Sequence, residues 1–152
     1  MQGMDLFFRN KKAFFDYKIA DDLEAGLALT GPEIKAIRSK QVNIGGSYIK
    51  PFVGESGRPE LWWVGSHFSV SEGDAMRTKK LLLNRSEIDR LVGKQSAKGY
   101  TILPLELYVK RGRAKLKIGL GTHKKAHDHR EELRSRAVDR EVEREFRERQ
   151  KR

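Results

Sequence analysis

Cysteine is absent from the chain. Disulfides, thiolate-held metals and a thiolate nucleophile are therefore excluded, and the composition suits a reducing compartment. No apolar run is long enough to cross a bilayer. The opening MQGMDLFFRNKK has neither the apolar region nor the cleavage site of an export signal. A cytoplasmic protein with no membrane partner is the expectation. No serine sits in a nucleophile-elbow sequence, and no glycine-rich stretch matches a phosphate-cradling loop. No internal repeat is visible. The sequence therefore offers no catalytic residues, cofactor or metal site, and a binding protein is expected over an enzyme.

What is abundant is positive charge. The formal net charge is +11 and the isoelectric point is near 10.0. Such a balance favours a polyanionic partner. Residues 121–152 hold 11 Lys and Arg against 8 Asp and Glu, a net of +3, so the remaining +8 lies in the first 120 residues. A basic tail on a neutral body would suggest a loose anchor. A basic body suggests a dedicated binding surface.

The most informative stretch is RAKLKIGLGTHKKAHDHR, Arg113 to Arg130. Ala114, Leu116, Ile118 and Leu120 alternate with Arg113, Lys115 and Lys117, the pattern of a strand with one apolar and one cationic face. The alternation stops at Gly121. Beyond it the chain is basic and histidine-rich, so a packed strand hands over to a solvated tail. His123 and His127 stand at helical spacing, but Lys124 and Lys125 oppose a bound cation. A polycationic segment lying on phosphate is the preferred reading.

Taken in order, residues 1–9 read as a flexible N-terminus, although Leu6, Phe7 and Phe8 are apolar enough to dock. Phe14 to Ile19 alternates as a strand, Asp21-Asp22 reads as a turn, and Glu24 to Leu29 as a second strand. Thr30 and Glu33 form a capping pair, with Pro32 in the first turn of a short helix to Ser39. That helix should turn Ile34 and Ile37 inward. Gly45-Gly46 breaks the chain before a strand from Ser47 to Val53. A turn-forming loop, Glu55 to Pro59, leads to a strand from Leu61 to Val64, whose Trp62 and Trp63 must point to opposite faces. Ser69 to Met76 reads as a loop, and Arg77 to Lys80 as a basic cluster. Asn84 and Glu87 cap a second helix, with Ile88, Leu91 and Val92 at helical spacing and Gly93 at its end. Tyr100 to Leu103 and Leu105 to Lys110 are strands around Pro104.

The last two strands should form a hairpin about Arg111-Gly112. Val109 then faces Ala114, Leu107 faces Leu116 and Leu105 faces Ile118. Tyr108 stands opposite Lys115 on the outer face, and Glu106 opposite Lys117. The fold class is mainly β: a small oligonucleotide-binding-type barrel of about six strands, with two or three short helices and a basic C-terminal tail. Residues 10–120 form the barrel. Residues 121–152 form the tail, where Leu133, Ala137, Val138, Val142 and Phe146 line one narrow side of a conditional helix. The cationic clusters and outward rings such as Tyr108 together point to RNA.

Four segments carry a resemblance to a known family: NKKAFFDY (Asn10 to Tyr17), EAGLALTGPEIKAIRSKQVNI (Glu24 to Ile44), RTKKLLLNRSEI (Arg77 to Ile88) and GYTILPLELYVKRGRAKLKIGLGTHKKAHDHRE (Gly99 to Glu131). In order and spacing the chain resembles the small protein B family, the bacterial partners of transfer-messenger RNA. The resemblance implies an oligonucleotide-binding-type barrel that grips the tRNA-like end of that RNA. It implies RNA contacts at Glu24, Leu82 and Lys115, with Asn10 and Lys80 beside them. It also implies a tail, through His127, Asp128, His129 and Arg130, that enters the empty messenger channel near the small-subunit decoding region of a stalled ribosome. Elongation factor Tu would join the delivery complex. The outcome would be tagging of the nascent peptide and rescue of the ribosome. Three departures stand out: His129 replaces a usual lysine, the loop before Arg77 is short, and Gly65 stands where asparagine is common. The rival readings are a general single-strand-binding barrel or ribosomal protein, and a nucleic-acid-processing enzyme.

Overall fold

The computed structural model describes residues 7–125 and, beyond them, residues 130, 131, 133, 134, 136, 137, 140, 141 and 144. The chain divides into two units, Met1–Thr122 and His123–Arg152. In the first, β1 (Phe7–Arg9) leads into α1 (Lys11–Asp16), β2 (Tyr17–Leu27) and α2 (Gly31–Arg38). Then come β3 (Val42–Asn43), β4 (Tyr48–Val53), β5 (Pro59–Val64), β6 (His67–Phe68) and β7 (Lys79–Leu82). Helix α3 (Arg85–Lys98) and the long hairpin β8 (Thr101–Lys110) and β9 (Arg113–His123) follow. Among the described residues, seven strands form one sheet in the order β1-β8-β9-β2-β7-β5-β4, while β3 and β6 pair separately. Strand β4 returns against β8, so the sheet curls into a partly open barrel. The mainly β barrel expected from the alternation is what is found.

The barrel interior is filled by Trp63, Phe68, Leu61, Leu81, Ile102, Leu107, Leu116 and Ile118, all at or near zero exposure. Trp63 and Phe68 meet edge to face at 5.8 Å. Their burial is the main driving force for closure, at about 2 kcal/mol for each large side chain fully removed from water.

Several elements differ from the expectation, each for a local reason. Phe14 to Asp16 are helical, because Asn10 caps α1 by accepting from the Ala13 N–H at 3.2 Å. Asp21-Asp22 is not a turn. Strand β2 runs straight through it, and Asp21 is held by Arg90 of α3 at 2.9 Å. Phe7–Arg9 is not part of a flexible end, since it pairs with Leu107 and its neighbours on β8. Helix α3 does not stop at Gly93 but at Gly99, which supplies the left-handed backbone of the cap at φ 69°. Tyr100–Leu103 and Leu105–Lys110 merge into one strand, with a bulge between Pro104 and Glu106. That bulge puts Pro104, not Leu105, opposite Ile118. The other expected pairs of the hairpin hold, from Val109 with Ala114 to Glu106 with Lys117.

Strand β9 also outlasts its alternation. A Cβ on Gly119 would stand 2.6 Å from Leu105 and 3.0 Å from the Asp21 carbonyl. Glycine there lets β8 and β2 close on β9, and the strand continues to His123. Among the described residues of the second unit, Arg130, Leu133, Ala137 and Arg140 are helical and exposed. The expectations for Met1 to Leu6 and for His127, Asp128, His129, Val138, Val142 and Phe146 lie outside the described residues.

Candidate nucleic-acid interface

Strand β2 is the floor of a cleft. Gly26 pairs with Leu82 of β7, and a Cβ on Gly26 would stand 3.2 Å from the Leu82 Cβ. Leu82 points outward and is 52% exposed. On one side stands α2, fixed by its capping box: Thr30 N–H donates to Glu33 Oε1 at 2.8 Å, and Glu33 N–H donates to Thr30 Oγ1 at 3.4 Å. On the other side stands the tip of the β8–β9 hairpin. The cleft between them has a volume of about 300 Å³. Leu27, Leu29, Ile34 and Leu82 give it an apolar lining, and Arg38, Arg113 and Lys115 give it a cationic rim. Ile34 was expected inward with Ile37. Ile37 is buried, but Ile34 opens into this cleft and is 41% exposed. An apolar floor with three cations at its edge suits a nucleotide, with the base against carbon and the phosphate at the rim.

Next to the cleft, Tyr108, Lys115 and Glu24 form a row across three adjacent strands. Tyr108 is opposite Lys115, and the Tyr108 hydroxyl donates to Glu24 Oε2 from the far side of β9. Lys110 Nζ stands 3.9 Å from the same oxygen. Burial first, and then the bond to Glu24, raise the Tyr108 phenol well above its ordinary value. Tyr108 was expected as an outward ring on an RNA-binding face. It is only 4% exposed, so it instead holds Glu24.

The structure brings Glu24, Leu82 and Lys115 to one surface and places the other candidates differently. Lys80 shares the outward face of β7 with Leu82 and pairs with Glu60 at 3.6 Å. Asn10 is buried. Its Nδ2 donates to the Pro104 carbonyl at 2.8 Å while its Oδ1 caps α1, so its side chain serves the fold. The cationic cluster Arg77 to Lys80 is not one solvated face. Arg77 donates twice to Glu33, at 2.7 and 2.9 Å. Lys79 is fully buried, 3.6 Å from Glu33, donates to the Arg77 carbonyl at 2.7 Å and stands 4.2 Å from the Phe68 ring. Burial by itself would raise the Glu33 carboxyl, but the Arg77 and Thr30 hydrogen bonds and the two positive charges outweigh it and leave it below the carboxylate range. Burial lowers the Lys79 ammonium, against the pull of Glu33.

Gly26, Ile34 and Arg38 also line the cleft, and sequence reasoning did not single them out for it. The helix pattern carried a signal for Arg38, an outward cation one turn from Ile34. The signal for Gly26 was weaker, a glycine inside an otherwise alternating strand.

The family described as SmpB protein matches residues 7–148. An "SsrA-binding protein" of Anoxybacillus flavithermus is 46% identical over 152 residues, covering 96% of either chain. One from Desulfitobacterium hafniense is 43% identical, covering 96% of this chain and 94% of that one. One from a Nitratiruptor species is 46% identical, covering 91% and 95%. A solved structure described as "tmRNA-SmpB: a journey to the center of the bacterial ribosome" superposes with a TM-score of 0.61 at 36% identity, over 84% of this chain and 94% of that one.

Proposed function

We propose, from the premise that this chain belongs to the SmpB protein family, that it is an RNA-binding adaptor of trans-translation. It binds the tRNA-like domain of transfer-messenger RNA and promotes its delivery to stalled ribosomes, in a complex that includes elongation factor Tu. The observation that carries the reading is a cleft with Leu82 in its apolar lining and Lys115 on its cationic rim, with Glu24 next to it, bonded by Tyr108. Leu82 supplies apolar contact, Lys115 a phosphate partner, and Glu24 an acceptor held in place by Tyr108. Lys80 extends the basic surface along β7. Asn10 acts through the fold, by fixing α1 to β8.

The tail is the second working part. Its residues His127, Asp128, His129 and Arg130 enter the messenger channel only when that channel is empty. A cationic arm and an intact RNA strand cannot share a narrow anionic groove, so vacancy is sensed by exclusion. Helix formation by the arm signals acceptance, and the helical backbone at Arg130 and Leu133 suits that role. The role is binding, not turnover, and it is exercised in the cytoplasm, where ribosomes are. Among the described residues no helix is long and apolar enough to cross a membrane.

The direct test is a competition between a tRNA-like folded RNA and an unstructured oligonucleotide of equal length. The folded RNA should bind at least about tenfold more tightly, a difference of about 1.4 kcal/mol. Lys115→Ala should reduce that affinity several-fold, while Lys151→Ala should leave it within about twofold. Equal affinity for the two RNAs would remove the adaptor reading.

A further inference from the structure

Away from the cleft, the far end of the sheet has an outer face that the adaptor reading does not use. Strand β4 turns Tyr48, Lys50 and Phe52 outward and Ile49 inward, by simple alternation. Tyr48 is 48% exposed and Phe52 55% exposed, although both are large and apolar. On the neighbouring strand β5, Val64 stands opposite Tyr48, Trp62 opposite Lys50 and Glu60 opposite Phe52. Trp62 is in turn opposite Lys80 on β7. Tyr48, Lys50, Phe52, Trp62, Val64 and Thr78 line a shallow hollow of about 380 Å³.

The chemistry of this face is specific. Three aromatic rings surround Lys50, which no acid pairs among the described residues. Glu60, the acid of the patch, is already engaged: it accepts from Trp62 Nε1 at 3.2 Å and faces Lys80 Nζ at 3.6 Å. Its charge is balanced, and the bond orients the partly buried indole. Tyr48 and Phe52 are four residues apart on one strand, about 13 Å along it, with Lys50 midway. Rings held apart, with a cation between them, suit separate unpaired bases joined by a phosphate. They do not suit a duplex, whose bases are stacked out of reach. On a chain of net charge +11, the complementary occupant is a polyanion.

We propose that the outer face of β4 and β5 is a second RNA site, which takes an unpaired RNA segment by stacking bases on Tyr48, Phe52 and Trp62 and holding phosphate at Lys50. It is distinct from the cleft, with which it shares no lining residue. It therefore stands whether or not the cleft reads a tRNA-like fold.

The experiment uses the full chain and two labelled probes, a twelve-nucleotide uridine oligomer and a tRNA-like folded RNA. The wild type is compared with the Tyr48→Ala/Phe52→Ala double variant and with Lys115→Ala. Each lost ring should weaken the uridine oligomer roughly tenfold, with the folded RNA changed less than about twofold. Lys115→Ala should do the reverse. Emission from Trp62 should be quenched by the oligomer, while buried Trp63 contributes a constant background. Because both deleted rings are exposed, melting temperature should not fall. An oligomer affinity unchanged by the double variant overturns the proposal. So does a double variant that changes only self-association or protein capture, which would make the face a protein contact. If Lys115→Ala leaves the folded RNA unaffected while the double variant loses the oligomer, the cleft reading fails and the second site stands.

Discussion

At the scale of single residues, one acid has two neighbours of opposite accessibility. Glu33 caps α2, and the wall of the cleft depends on where α2 begins. It also partners Lys79, which has no exposure at all. Glu33→Gln should keep the amide contact to Thr30 but leave the Lys79 ammonium buried without a counter-charge. Removing one member of a buried pair costs about 3–5 kcal/mol. The sign with pH follows from the lowered Glu33 carboxyl. Its contribution is fully present above 4.5, the value of the free group, and is lost as pH falls through the lower folded value. The gap in melting temperature between wild type and Glu33→Gln should therefore narrow in acid. A gap that stays constant from about pH 7 to about pH 3 would show that the charge of Glu33 plays no part. The same residue shows why the sequence misled at this scale. Arg77 and Lys79 look like the rest of a basic cluster. Only the alternation of β7 sends Lys79 inward and Lys80 outward, and only the fold places Glu33 within reach.

At the scale of elements, the β8–β9 hairpin is the best-specified piece and still carries a local cost. Arg111 and Gly112 both have positive φ, 53° and 76°, the geometry of a two-residue turn that suits asparagine followed by glycine. Arginine is strained there by about 1 kcal/mol. Arg111→Asn should raise the melting temperature by roughly 2–5 °C, and a fall would mean that the arginine makes a compensating contact. The end of β9 gives a second expectation. Gly121 is buried and pairs with Thr101. A chain stopped after Leu120 should therefore lose stability, whereas one stopped after Lys125 should melt like the full chain. The longer truncated chain is the right reagent for the tail. It should keep RNA binding and lose tagging on stalled ribosomes, and tagging that survives would remove the vacancy-sensing role.

At the scale of the whole molecule, the excess positive charge is distributed by the fold into unequal shares. Some of it is spent on the buried Glu33, by Lys79 from inside and by the partly exposed Arg77 from the surface. Some is balanced at the surface, as where Arg90 meets Asp21 and Lys80 meets Glu60. What reaches the cleft is Arg38, Arg113 and Lys115. With Lys80 and Lys117 added, about five phosphate contacts give a log–log dependence of affinity on salt of roughly −3.5 to −4.5. Lys115→Ala should make that slope shallower by about 0.7 to 0.9, and Lys79→Met should leave it unchanged because the ammonium never faces solvent. A slope near that of the total charge would indicate diffuse attraction instead of a defined surface.

The sequence by itself determined the excess of positive charge, the barrel, the α2 capping box and nearly the whole register of the last hairpin. Those features are local or compositional: charge, a period of two residues, a cap three residues from its partner. It also placed Lys115 outward, for the same reason. The tertiary structure decided which of the chemically similar groups are available. Tyr108 is turned into a support for Glu24, Asn10 into a buried tie and Lys79 into a core cation, while Ile34 is exposed at the cleft. Each of those outcomes depends on a residue distant in the chain, Glu24 with Tyr108, Asn10 with Pro104, Glu33 with Lys79. Short-range periodicity carries no record of such meetings, because it reports which side of an element a group takes and not what stands across from it.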